Sequence, residues 1–179
     1  MGQCRHRTVR ISAPDSAGQY TIAWTSTFTA VEKIILDRTP ITGQKDGVSW
    51  GGYAGLSLRI ASGAQNAKYI TSTGLVKLVK GAFRGKEKYM MYAAQIDSKD
   101  FSITFLDSHM NVNFPTPWYL ISNGRMDYFS PAVICYEPMT LEKGDTFTLN
   151  YRIIISPSHL STDQIVSAYD SFNKHSNLE

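Results

Sequence analysis

The chain has 179 residues, of which 42% are hydrophobic and 18% charged, a composition typical of one folded domain with a buried core. Its formal net charge is only +3 and Lys or Arg never occur more than two in a row, which argues against a nucleic-acid partner. No apolar stretch approaches the roughly 20 residues of a membrane span. We therefore expect a single domain over residues 1–179 that has neither nucleic acid nor a membrane as partner.

The start of the chain and its cysteines bear on the cellular compartment. The first ten residues, MGQCRHRTVR, are polar and basic, and no apolar segment of a secretory signal follows them. The chain as it stands is expected in the cytoplasm, or in the periplasm or outside the cell if an upstream segment has been trimmed. Two cysteines are too few for a disulfide scaffold. Cys135 lies in an apolar run and is predicted to be a buried thiol, whereas Cys4 is predicted to be exposed.

Polar and apolar residues alternate with a period of two along most of the chain, which predicts strands. The predicted strands span residues 20–29, 31–37, 53–60, 69–73, 75–80, 88–96, 101–106, 118–121, 132–136 and 146–155. Turn sequences at 97–100, 123–124 and 142–145 separate several of them. Evenly spaced short strands joined by hairpins predict an all-β fold, an antiparallel β-sandwich or barrel.

One helix is predicted, over residues 161–175 at the C-terminal end. Ser161 followed by Gln164 has the spacing of a capping box. Ile165, Ala168, Tyr169 and Phe172 then form one apolar stripe at helical spacing. We expect this stripe to pack on the sandwich.

The predicted strand 53–60 is unusual because one of its faces has little bulk. Tyr53 and Arg59 stand at the two ends of that face, with Gly55 and Ser57 between them. Glycine weakens a strand unless something approaches closely, so one interpretation is a groove for a sugar or carboxylate with Arg59 as a forked donor. The other interpretation is a solvent face with Arg59 in an ordinary salt bridge.

The loop over residues 107–118 is the densest polar segment and supplies further candidates. His109 is a candidate acid or base near neutral pH, and Asn111 a candidate hydrogen-bond donor. Trp118 and Tyr119 are candidates for stacking on a sugar ring. The alternative is a structural loop in which Asp and Asn cap turns.

Epimerase-type chemistry would need an acid and a base on opposite sides of a sugar ring. The best candidates to pair with His109 are Glu137 and Asp127, although each also fits a solvated charge at a strand end or hairpin. Four scattered His and two Cys provide no metal-ligand spacing, and no nucleotide-binding motif occurs. The prediction is therefore that the protein uses neither a metal nor a cofactor.

Three segments, 51–59, 107–119 and 128–152, resemble in order and spacing the C-terminal half of the PmoA-like family, often labelled methane oxygenase PmoA. The resemblance covers about residues 18–156. It implies a β-sandwich related to the galactose-mutarotase-like supersandwich and a carbohydrate-related role. The site residues that it carries over are Tyr53, Arg59, Asn111, Pro117 and Trp118.

The resemblance also has a gap. Family members carry a motif of the form Asp-His-Pro-His-His-Arg-Gly in an N-terminal half, and this sequence has no counterpart of it. The resemblance therefore implies a fragment, a trimmed chain or a divergent binding form. Methane oxidation is not implied, because it requires membrane spans and converging metal ligands.

Two functions follow from these patterns. The first is the binding or processing of a small carbohydrate in a groove on a sheet face, which requires Tyr53, Arg59 and Trp118 to surround one hollow. The second is a non-catalytic structural or assembly module, a piece of a larger supersandwich whose open edges and apolar surface favour a homodimer.

Overall fold

The computed structural model describes the backbone of residues 3–175 and the side chains of residues 6–174. Within this range the chain is mainly antiparallel β-structure with a single helix at its C-terminal end. The elements are β1 (Gln3–Ile11), β2 (Tyr20–Ala30), β3 (Ile34–Leu36), β4 (Leu58–Arg59), β5 (Gln65–Thr71), β6 (Gly74–Leu75), β7 (Ala82–Lys86), β8 (Tyr89–Ile96), β9 (Lys99–Asp107), β10 (Pro117–Ser122), β11 (Asp127–Pro131), β12 (Met139–Leu141), β13 (Thr146–Ser156) and α1 (Thr162–His175).

The strands form a large sheet, a smaller one and a short two-stranded ribbon. The large sheet has seven strands in the order β1-β2-β13-β9-β8-β5-β6. The smaller sheet has four strands in the order β4-β11-β10-β7, and the ribbon pairs β12 with β3. All pairings between these strands are antiparallel, as the hairpin-rich sequence predicts.

The main core lies between the two larger sheets and confirms the sandwich. Trp118 and Phe129 of the smaller sheet pack on Tyr92 and Phe105 of the large one. The rings of Phe105 and Phe129 meet edge to face with centroids 5.4 Å apart, a favourable arrangement of aromatic rings. The interior is thus built on aromatic side chains that alternate inward along each strand.

The C-terminal helix packs on the other face of the large sheet, and its predicted cap is confirmed. The Ser161 backbone N–H donates to Gln164 Oε1 at 2.8 Å, and the Gln164 N–H donates to Ser161 Oγ at 3.2 Å. Ile165 and Phe172 are buried in a cluster with Ile154 of β13. The apolar stripe therefore covers part of the sheet, as predicted.

Some strand predictions were wrong. Residues 132–136 form turns rather than a strand, with the Cys135 N–H donating to the Ala132 carbonyl at 2.8 Å. The run is apolar because it is buried, so the pattern shows burial without strand pairing. The predicted strand 53–60 is paired only at β4, and of 75–80 only Leu75 belongs to a strand. Cys135 is fully buried as predicted, whereas the side chain of Cys4 lies outside the described residues.

Candidate functional site

The outer face of the four-stranded sheet, away from the core, carries a groove of about 340 Å³. We call it the aromatic groove, because four of its eight lining side chains are aromatic. Its lining residues are Trp50, Tyr53, Ser57, Arg59, Tyr119, Ile121, Met126 and Tyr128.

Strand alternation explains why these side chains share a face. Along β10, Trp118 and Leu120 are buried in the core, so Tyr119 and Ile121 point the other way. Tyr128 of β11 lies opposite Ile121 in the antiparallel register, which places its ring on the same outer face. The smaller sheet thus supplies the floor of the groove.

The segment before β4 forms one wall, and Arg84 holds its backbone in place. The Arg84 guanidinium donates to the carbonyls of Ser49 and Gly51 at 2.6 and 2.7 Å. Gly52 has a φ of +83°, and a Cβ atom there would lie only 2.6 Å from the Ile41 side chain. Glycine is therefore required for this tight turn, which fixes the backbone on both sides of Trp50 and Tyr53.

Two large aromatic side chains are exposed on this wall. Trp50 is 53% exposed and Tyr53 is 50% exposed, with ring centroids 6.3 Å apart. Neighbouring aromatic rings left in solvent form an exposed apolar surface, a feature typical of binding sites.

Polar groups lie beside these rings. Ser57 Oγ and the Tyr128 hydroxyl are hydrogen-bonded at 2.8 Å, so each keeps further capacity for a ligand. Arg59 is exposed, and among the side chains of residues 6–174 its guanidinium has no hydrogen bond or ion pair. The salt bridge of the second interpretation of Arg59 is therefore not present in the described part of the chain.

A second hollow of about 380 Å³ continues from the aromatic groove and shares Trp50, Tyr119 and Ile121 with it. Lys80 and Arg84 line this second hollow. The Arg84 guanidinium lies over the Tyr119 ring, 4.4 Å from its centroid, as in a cation–π contact. Burial raises the pKa of Tyr119, with Arg84 acting in the opposite direction, so the phenol stays protonated at neutral pH.

Three of the five predicted ligand-binding residues come together. Tyr53, Arg59 and Tyr119 all line the aromatic groove, but Tyr119 is only 1% exposed beneath Arg84, so Tyr53 and Arg59 are the two that solvent reaches. The prediction for Trp118 was wrong: its side chain is 0% exposed and its indole N–H donates to the Glu87 carbonyl at 2.9 Å within the core. Tyr53, Arg59 and Trp118 therefore do not surround one hollow, and the ring that the strand turns outward is Tyr119.

Asn111 also has a different role from the predicted one. It is 4% exposed, and its side-chain amide donates to Asp107 Oδ1 at 2.7 Å and to the Asn150 carbonyl at 2.8 Å. Its own Oδ1 accepts from the Asn150 N–H at 2.7 Å. Asn111 thus ties the 107–117 loop to β13 and is not available to a ligand, in agreement with the structural interpretation of this loop.

The three predicted acid–base residues are not brought together. His109 contacts Asn173 of α1, with Nδ1 2.7 Å from Asn173 Oδ1. Asp127 accepts from the hydroxyls of Tyr92 and Ser122 at 2.9 and 2.6 Å. Glu137 is exposed and lines a separate hollow, and none of the three lines the aromatic groove. The predicted acid–base pair across a sugar ring is therefore not formed.

Asp107 is a buried carboxyl group at the end of β9. It is 0% exposed, and besides Asn111 it accepts only a long hydrogen bond from the Thr116 N–H, at 3.3 Å. Burial raises the pKa of Asp107 to about 6, and hydrogen bonds from Thr116 and Asn111 offset only part of this effect. Because no solvent reaches Asp107, we expect its carboxyl group to affect the stability of the fold and not the binding of a ligand.

Sequence reasoning missed Trp50, Ile121, Met126 and Tyr128 as groove residues. Alternation along β11 offered a signal for Tyr128, since a Tyr beside the buried Phe129 must face outward. For Trp50 the only signal was an aromatic residue directly before the Gly51-Gly52 pair. Its place in the groove depends on the path of the loop, which the sequence pattern does not specify.

The described part of the chain has neither a metal-binding cluster nor a membrane-spanning helix. No group of three or more His, Cys, Asp or Glu side chains converges there in a way that could hold a metal ion. Among the elements of residues 3–175, no helix has the length and apolar character needed to cross a membrane.

Comparison with known proteins places the chain in a family. No curated protein matches it. Residues 5–170 match the model of a family described as a family of unknown function, DUF6807. Because the match extends over most of its length, the chain belongs to the DUF6807 family.

Proposed function

We propose that the protein binds a carbohydrate in the aromatic groove. The observation that carries the proposal is the pair of exposed rings, Trp50 and Tyr53, beside an Arg59 guanidinium that has no partner among the described side chains. A volume of about 340 Å³ lies within the range of small-ligand sites, and aromatic lining with a few polar groups is typical of them.

The groove offers the two kinds of contact that a sugar ring needs. A pyranose presents C–H groups on its faces, and these pack flat on an aromatic ring such as Trp50 or Tyr53. Its hydroxyl groups radiate from the edge and need donors and acceptors. Ser57 and Tyr128 supply hydroxyls and Arg59 supplies donors.

The proposal is binding rather than catalysis. The lining of the aromatic groove contains no Asp, Glu or His, and Asp127 is engaged by two hydroxyls. General acid–base catalysis needs such a group within hydrogen-bond reach of the reacting atom. The described residues therefore favour recognition without bond breaking.

The resemblance to the PmoA-like family supports the same class of ligand. It implies a carbohydrate-related role and rests in part on the segment 51–59, which contributes three of the eight groove-lining residues. Segment 107–119 contributes only Tyr119.

The test is a binding screen with matched variants. We expect at least one glycan of a broad panel to bind, with Trp50→Ala and Tyr53→Ala each weakening it tenfold or more in calorimetric titration. Leu75→Ala is the control, since Leu75 is 65% exposed but lies outside the groove. Absence of binding to every glycan, or equal loss in the control, would refute the proposal.

An exposed aromatic surface is also typical of protein interfaces, so an assembly role is the second candidate. Val79, which lines the adjoining hollow, is 73% exposed and would extend the apolar patch of Trp50 and Tyr53. This candidate predicts a dimer in sedimentation velocity that Trp50→Ala dissociates. A monomer at all concentrations would reject it.

A further inference from the structure

We infer that the ligand of the aromatic groove is an acidic carbohydrate, a sugar that carries a carboxylate such as a uronic acid unit. The inference rests on the proposed function and adds the chemical class of the ligand. It comes from the charges that surround the groove.

The charges that line the groove and the adjoining hollow are all positive. Arg59 lines the aromatic groove, and Lys80 and Arg84 line the adjoining hollow. No Asp or Glu occurs among the lining residues of either hollow. Three cations without a lining anion create a positive potential that favours an anionic ligand.

None of the three cations forms an ion pair with an acidic side chain of residues 6–174. Arg84 is bound to neutral backbone carbonyls and to the Tyr119 ring, so its contacts do not remove its charge. The carboxylate of Asp127, at the start of β11 in the smaller sheet, accepts hydrogen bonds from the hydroxyls of Tyr92 and Ser122 and does not pair with a cation of the groove. The Arg59 guanidinium makes no hydrogen bond or ion pair within residues 6–174.

The geometry of a uronic acid fits this arrangement. Its carboxylate lies at the edge of the pyranose ring, so a ring that stacks on Trp50 or Tyr53 presents the carboxylate sideways. The fork of Arg59 matches the two carboxylate oxygens in a bidentate contact, which a neutral hydroxymethyl group does not form. Recognition by Arg59 thus distinguishes an acidic sugar from its neutral counterpart.

The experiment compares three ligands that share one backbone: an oligogalacturonate, its methyl ester and the neutral galactose oligomer of equal length. We expect the acid to bind at least tenfold more tightly than the ester or the neutral oligomer at low salt. Its affinity should fall as ionic strength rises, because salt screens the positive groove.

Two variants with the same charge change locate the effect. Arg59→Gln should abolish the preference for the acid, whereas Arg125→Gln should retain it. Arg125 is exposed in the adjacent turn but does not line the groove, so it controls for net charge. Circular dichroism checks that both exposed-site variants fold.

The outcomes separate the inference from the proposed function. If the ester and the neutral oligomer bind as tightly as the acid, the inference is overturned while sugar binding stands. Equal loss of preference in both variants would also overturn it, since the Arg59 contact would then have no role. If none of the three oligomers nor any glycan of the panel binds, the proposed function fails and the inference with it.

Discussion

The buried carboxyl group of Asp107 makes stability depend on pH in a direction opposite to that of most acidic residues. Burial raises its pKa to about 6 from the 3.8 of an unperturbed aspartate. Between these values the folded protein holds the proton more tightly than the unfolded chain does. Stability contributed by this group is therefore present at low pH and is lost as pH rises from about 4 to about 6.

The size of this effect follows from the shift in pKa. A shift of roughly two units corresponds to about 3 kcal/mol, and about 2 kcal/mol of this falls between pH 4 and pH 7. Asp107→Asn removes the titrating group and keeps an oxygen to accept the Asn111 amide. We expect the free energy of unfolding of the wild type, relative to that of the variant, to be about 2 kcal/mol lower at pH 7 than at pH 4.

Urea unfolding followed by circular dichroism at several pH values measures this difference. Asp97→Asn is the matched control, because Asp97 is exposed in the β8–β9 turn and its φ of +49° suits Asn. The comparison uses the pH slope and not the absolute stability, which the substitution also changes. If Asp107→Asn and the wild type have parallel pH profiles, the buried-carboxyl argument is wrong.

Two further predictions concern the helix cap and the free thiol. Ser161→Ala should lower the free energy of unfolding by about 1 kcal/mol, because the Gln164 N–H loses its acceptor. An unchanged midpoint of urea unfolding would contradict a stabilising role of this cap. Cys135 is fully buried, and burial raises the pKa of its thiol. In a Cys4→Ser variant, Cys135 should therefore react with a thiol reagent only after the protein unfolds. Rapid labelling of the folded variant would contradict the burial of Cys135.

The sequence predicted those elements whose signals are local. The alternation along β13 buries Leu149, Tyr151 and Ile153, as expected from a period of two. The β8–β9 turn holds Asp97 and Ser98 at positive φ, which is a property of short hairpins. Such features are determined by a few neighbouring residues and need no knowledge of the fold.

The failures concern information that only tertiary structure supplies. Trp118 and Tyr119 are adjacent aromatics, and a strand turns one of them inward; which one depends on the register of the sheet. Trp118 is the larger apolar ring and fills the core, whereas Tyr119 packs beneath Arg84. The sequence places these two rings together but does not say which of them enters the core between the sheets.

The predicted acid–base residues failed for a related reason. His109, Asp127 and Glu137 were chosen by chemical type, yet each lies in a different part of the sandwich. The sequence does not show which of these residues lie close together in space. In a sheet whose strands pair over long distances along the chain, spacing in the sequence does not predict that proximity.

The central claim is that the outer face of the smaller sheet is a carbohydrate-binding surface, and the three tryptophan indoles test it directly. Trp50 lies in the groove, Trp118 in the core and Trp24 on the inner face of the large sheet. The indole N–H signals in nitrogen-15 NMR spectra are assigned with Trp→Phe variants. Titration with the best-binding oligosaccharide should then shift the Trp50 signal and leave the Trp118 and Trp24 signals in place. Saturable binding that leaves the Trp50 signal unmoved, or moves that of Trp24 instead, would contradict the account.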